Sequence, residues 1–136
     1  MTNELKRDEG FRSKPYYDTA GKLTIGYGRN LDDVGITKPE AEELLQNDIG
    51  NRIVRLNKKY EWFKFLSPAR KHAIVNMAFN LGMGGLATFK RMIAAIECGH
   101  FERAALELLD SDAARELQNR YLRLYDMMLT GEFEKE

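Results

Sequence analysis

A single cysteine, Cys98, stands in a chain of 136 residues, so no disulfide can close within the chain and no thiolate cluster can hold a metal. Histidine is nearly as scarce. His72 and His100 are the only two, and Cys98-Gly99-His100 supplies at most half of a zinc ligand set; the plainer reading is a thiol beside a turn. An excess of one charge is missing as well: 21 basic and 21 acidic residues cancel, which removes any bulk electrostatic case for nucleic acid or an anionic membrane. No apolar run approaches the ~18 residues of a membrane span, and Met1 to Glu9 contains no hydrophobic leader. The expectation is a soluble monomer made in the cytoplasm, with no cofactor, no metal, no nucleic acid partner and no stable membrane insertion. If its substrate lies outside the membrane, another agent must let it out.

What is present is concentrated between Asp8 and Asn30. Leu5 to Gly10 has the form of a helix tail closed by glycine, the residue at which chains most often leave a helix through positive φ. Glu9 is then the last helical side chain. A carboxyl at that end faces the negative pole of the backbone dipole, and cover from Phe11 or a tyrosine would add to the effect. Both favour the protonated form that a general acid needs.

A hairpin follows, with Tyr16-Tyr17-Asp18, a turn over Thr19 to Lys22, and Leu23 to Gly28 in alternation. Period two puts Leu23, Ile25 and Tyr27 on one face and Thr24, Gly26 and Gly28 on the other. Two glycines on one strand face predict a close approach to the backbone there. Asp18 and Thr24 face each other across the turn, so a carboxylate and a hydroxyl border that open floor. Two carboxylates flanking a cleft are the equipment for hydrolysing a glycosidic bond.

The rest is helical. Leu31 to Gly35 is a loop, and Thr37-Lys38-Pro39-Glu40 combines a capping box with a first-turn proline. Ala41, Leu44, Leu45, Ile49, Ile53 and Leu56 keep helical spacing to about Lys58, with Asp48, Arg52, Arg55 and Lys59 as a solvated face. Tyr60 to Leu66 gathers aromatic residues into a core plug. Ser67-Pro68 opens a second helix, apolar on more than one side and ended by Leu81-Gly-Met-Gly-Gly. On it Asn76 and Asn80 are equally suited to structural bonds and to a sugar. Phe89 to Glu97, Phe101 to Leu109 and about Ala113 to Met128 are further helices, and Thr130 onward is a tail.

Glu9-Gly10, then Tyr16-x-Asp18-x-x-Gly21-x-Leu23-Thr24-Ile25-Gly26-Tyr27-Gly28, resembles the active-site signature of the phage-type lysozymes, the endolysin muramidases of the T-even phage kind. The likeness continues through Ile36-Thr37-x-x-Glu40-Ala41, through Arg70 to Gly82, and weakly at Asn119-Arg120. It implies an α+β, mostly α, two-lobed lysozyme-like fold in a single domain over residues 1–136. A small hairpin lobe would cover about 12–36, a connecting helix about 38–58, and a helical lobe about 60–130 together with the N-terminal helix. It further implies hydrolysis of the β-1,4 bond between N-acetylmuramic acid and N-acetylglucosamine in bacterial peptidoglycan. Glu9 would be the acid, Asp18 the second carboxylate, Thr24 a holder of the water and Arg120 the partner of Glu9; Asn30, Phe79 and Asn80 would bind substrate. Inversion at the sugar carbon, with carboxyls about 6.5 to 9.5 Å apart, is the outcome favoured. Release through a separate membrane-pore protein completes the picture. Two departures stand out. Arg29 occupies the place of the family's histidine, and the short loop from Leu31 to Gly35 trims the small lobe.

Two rivals stay open. A lytic transglycosylase of the same fold needs an acid but no aspartate to activate water, so Asp18 and Thr24 weigh against it. A non-catalytic module that binds glycan or protein would leave both acids as ordinary surface groups, and the glycines of Leu23 to Gly28 weigh against that.

Overall fold

Glycine at position 10 takes φ 69°, ending helix α1 (Thr2–Glu9) where the sequence places its stop, with Glu9 as the last helical residue. We describe residues 1–134 in a computed structural model. The fold is mostly helical with one small antiparallel sheet, the α+β class expected from the sequence. Strands β1 (Arg12–Tyr17), β2 (Leu23–Gly26) and β3 (Arg29–Asn30) lie in the order β1-β2-β3. Tyr16 pairs with Thr24 and Tyr17 with Leu23, and an irregularity toward Arg12 accommodates Pro15, which lacks an N–H and suits an edge strand. On the other side Thr24 pairs with Asn30 and Ile25 with Arg29.

The sheet corrects the expected hairpin in two ways. The second strand ends at Gly26 instead of alternating to Gly28, because Gly26 and Gly28 both adopt positive φ, 68° and 72°, and turn the chain. The third strand, two residues long, is too short for a period to show in sequence.

Helix α2 (Lys38–Lys59) begins with the predicted capping box: the Thr37 N–H donates to Glu40 Oε1 at 2.9 Å and the Glu40 N–H to Thr37 Oγ1 at 3.3 Å. Helix α3 (Pro68–Ala87) is capped by Ser67, whose hydroxyl accepts from the Arg70 N–H. It breaks at Gly82 (φ 74°) where the glycine cluster predicted an end, but helical turns resume beyond it. Helices α4 (Lys90–Glu97) and α5 (Phe101–Leu109) follow. The expected last helix is two, α6 (Asp112–Glu116) capped by Ser111 and α7 (Gln118–Thr130), with Leu117 between them outside helical geometry at φ −121°, ψ 55°. The predicted tail therefore starts later, and its Lys135 and Glu136 lie outside the described residues.

The chain divides into two compact units, residues 1–46 and 47–136, and the division falls within α2. Helix α1 groups with the sheet in the first unit, whereas the sequence assigned it to the helical lobe; it has no buried residue that would draw it toward an apolar core. The two units differ in what holds them. The second has the hydrophobic core, built on Leu56, Phe63, Ile74, Met77, Leu108 and Tyr121 among others, and Phe63 and Leu66 are the buried part of the predicted aromatic plug. In the first, Thr24 is the only buried side chain. Hydrogen bonds and ion pairs must supply there what apolar burial supplies elsewhere. Among the described residues no helix is long and apolar enough to cross a membrane.

Candidate functional site

Four of the sequence-predicted site residues lie in the first unit, Glu9, Asp18, Thr24 and Asn30, and three in the second, Phe79, Asn80 and Arg120.

Glu9 is exposed at the end of α1, and its carboxyl lies over Gly28 in the turn between β2 and β3. A Cβ built on Gly28 would stand 2.5 Å from Glu9 Oε2 and 2.9 Å from Cδ, so only glycine leaves this space. The close approach predicted for the glycine-bearing strand is thus made at Gly28 by the acid itself. At Gly26 a Cβ would meet nothing within 4 Å, and that glycine serves the turn alone. Phe11, offered by the sequence as a cover for Glu9, is paired with Tyr27 instead, with ring centroids 5.4 Å apart.

Asp18 organises the hairpin turn. Its Oδ1 accepts from the backbone N–H groups of Ala20 (2.9 Å) and Lys22 (2.8 Å), the local bonding that makes aspartate a turn residue. Among the described residues Oδ2 accepts no hydrogen bond, so the turn holds the carboxylate through one oxygen and leaves the other as a free acceptor. Thr24 is buried, and its hydroxyl donates to Lys22 O at 2.9 Å, which leaves its lone pairs as acceptors. Asn30 forms a ring of bonds with Asp33: its Nδ2 donates to Asp33 Oδ2 at 3.0 Å and its Oδ1 accepts from the Asp33 N–H at 3.0 Å. Asp33 also pairs with Lys22 at 3.1 Å, and Asp32 accepts from the Leu23 N–H at 2.7 Å. These two aspartates, passed over in the sequence as loop residues, tie the turn after β3 to the hairpin.

Arg29, which the sequence left without a partner, has three acceptors. Its guanidinium donates in fork geometry to Glu40 Oε1 at 2.8 Å and Oε2 at 2.7 Å, and to Gly35 O at 3.1 Å. The Arg29 bonds, followed by those from Thr37, hold the Glu40 carboxyl down at about 2 against its usual 4.5. A carboxyl depressed on folding stabilises the protein above its unfolded value and ceases to do so as pH falls through its folded value. The contribution of Glu40 is therefore complete above about pH 4.5 and lost on the way down to about 2. Urea midpoints measured from pH 6 to 2 are expected to fall less steeply for Glu40→Gln than for the parent; parallel curves would contradict this.

In the second unit the two asparagines of α3 are engaged structurally. Asn76 Oδ1 accepts from Arg120 Nε at 2.7 Å and its carbonyl from Nη2 at 3.2 Å, so Asn76 sets the guanidinium of Arg120. Asn80 Oδ1 accepts from the hydroxyl of buried Tyr121 at 2.7 Å, which leaves its amide N–H groups as the part able to meet a ligand. Burial pushes the Tyr121 phenol up, and the nearby Arg120 charge opposes this. Phe79 carries the Arg52 guanidinium 5.7 Å from its ring centroid, so Arg52 is more than a solvated face. A cavity of about 520 Å³ beside Leu81, Phe89, Met92 and Ser111 includes none of the seven residues.

Comparison with known proteins gives these residues a context. The family model described as Phage lysozyme matches residues 6–122. The chain is 30% identical over 162 aligned positions to the pre-baseplate central spike protein Gp5 of Enterobacteria phage T4, covering 98% of this chain and 28% of that protein. It thus spans little more than a quarter of that relative's length. Against probable T4-type lysozyme 1 of Dictyostelium discoideum it is 30% identical, with 93% and 92% covered. Against the endolysin of Acyrthosiphon pisum secondary endosymbiont phage 1 it is 32% identical, with 82% and 76% covered.

Proposed function

The chain belongs to the phage lysozyme family, and from that premise we propose that it is a muramidase that hydrolyses the β-1,4 bond from N-acetylmuramic acid to N-acetylglucosamine, working as an endolysin on the bacterial cell wall. The observation that carries the mechanism is the difference between two carboxyls of one unit. Glu9 ends a helix and lies free over Gly28, whereas Asp18 is fastened to a turn through one oxygen and presents the other. Glu9 is the acid: it gives its proton to the bridging oxygen as the bond to the muramic acid carbon breaks. Positive charge then builds on that carbon. Asp18 Oδ2 accepts a proton from a water that attacks from the opposite face, and the product inverts. Thr24 supplies an acceptor lone pair beside Asp18, Asn30 and the amide N–H groups of Asn80 meet sugar hydroxyls or acetamido groups, and Phe79 gives an apolar face. The family resemblance gives Arg120 the acid-orienting role, and Asn76 sets the guanidinium that would perform it. The chain acts as a monomer without a cofactor, in two lobes, and reaches the wall after a separate pore protein has opened the membrane.

The test is digestion of purified peptidoglycan followed by mass spectrometry. Hydrolysis leaves a reducing muramic acid end; a transglycosylase leaves a 1,6-anhydro end lighter by one water. Anhydro products would replace the proposed reaction with elimination, and an undigested wall would leave a binding module.

A further inference from the structure

We propose that Arg29 is a positioning residue for the hydrolysis: by clamping the edge strand β3 to the first turn of α2, it holds the Gly28 backbone on which the Glu9 carboxyl rests. The inference rests on the assignment of Glu9 as the acid. Little else holds this part of the chain. β3 has two residues and two register pairs, it is the sheet edge, and the unit around it buries no apolar side chain. A strand this short has no stability of its own.

Arg29 adds three charge-assisted bonds to it, two to Glu40 and one to Gly35 O. Their far end is anchored. Glu40 also accepts from the Thr37 N–H and receives the helix cap in return, so the clamp closes on the capping box of a 22-residue helix. Their near end is one peptide from Gly28, which has φ 72° and on which an added Cβ would stand 2.5 Å from Glu9 Oε2. The next residue, Asn30, pairs with Thr24 across the strand, so the same clamp sets the register of two further proposed site residues. Arg29 touches none of the reacting atoms in this account. It acts through the backbone on either side of it.

The experiment compares wild type, Arg29→Lys, Arg29→Ala and Glu40→Gln on purified peptidoglycan, well below the melting temperature of each. It also records the ¹H–¹⁵N position of the Gly28 amide. Releasing the clamp is expected to lower kcat about tenfold, in line with the cost of sub-ångström to ångström misplacement of an acid, with KM rising by a smaller factor as Asn30 shifts. The Gly28 amide shifts in Arg29→Ala and Glu40→Gln alike, and the two changes combined are no worse than either. Arg29→Lys recovers only part of kcat, because lysine offers a point charge in place of a fork. Unchanged kcat in folded Glu40→Gln, with only a lower melting temperature, would reduce the clamp to a structural role and overturn the proposal. If Arg29→Ala does not fold, the lysine and glutamine variants decide. Glu9→Gln is run beside them: turnover by that variant would remove the acid assignment itself, whereas a dead Glu9→Gln with fully active clamp variants would remove only the role of Arg29.

Discussion

Glu9→Gln is expected to lower turnover on peptidoglycan by about a thousandfold or more, within the 10²–10⁴ that a positioned general acid contributes plus what its charged form adds. The amide keeps the size of the carboxyl, so it still fits over Gly28, but it has no acidic proton for the bridging oxygen. The fold should be indifferent. Glu9 is exposed at a helix end and makes no hydrogen bond or ion pair among the described residues, so the melting temperature is expected to stay within a degree or two. Circular dichroism and thermal melts establish the fold, and reducing-end release from cell walls reads the activity. Turnover near that of wild type would end the assignment of Glu9 as the acid.

Gly28→Ala is the next largest effect, and it separates two reasons for a glycine. The new Cβ would fall 2.5 Å from Glu9 Oε2, 2.9 Å from Cδ and 3.3 Å from Cγ, so the carboxyl must swing aside. Since that carboxyl ends a flexible chain, the clash costs little stability; what is lost is its place. The backbone adds a cost of its own, about 1–2 kcal/mol for an L-residue at a φ of 72°. Gly26→Ala provides the control, because φ is 68° there and a Cβ meets nothing within 4 Å. Both variants should melt lower by a similar few degrees. Only Gly28→Ala should lose kcat by as much as about a hundredfold, the penalty for moving an acid by about an ångström. Equal loss in both variants would mean that Gly28 matters for backbone conformation alone.

Set against the sequence, these two glycines are instructive. Alternation marked both as gaps awaiting a visitor, and the structure finds one visitor, Glu9, and one turn. The reason is that positive φ and close approach favour the same residue. Arg29 is the opposite case: in sequence it stands out as a departure from the family's histidine, but its partner Glu40 is fully accounted for there as half of a capping box. One carboxylate serves both, which its two oxygens allow. Asn76 and Asn80 stood evenly between structure and sugar until Arg120 and Tyr121, 44 and 41 residues away, took up their side-chain oxygens.

The amino-acid sequence by itself determined most helix starts, the stop after Glu9 and the hairpin turn, though not the turns that resume beyond Gly82 or the break at Leu117. Ser67-Pro68, the Thr37 and Glu40 box, Gly10 after Glu9 and the Asp18 turn each act through atoms no more than four residues apart, so the local chain carries the whole instruction. It also determined that the fold would be mostly helical with a small antiparallel sheet. Only the tertiary structure decided what the side chains of those elements meet: Glu9 on Gly28, Arg29 on Glu40, Arg120 on Asn76. Such contacts join segments whose spacing along the chain carries no period and no cap, so they become visible only when folding has brought the segments together.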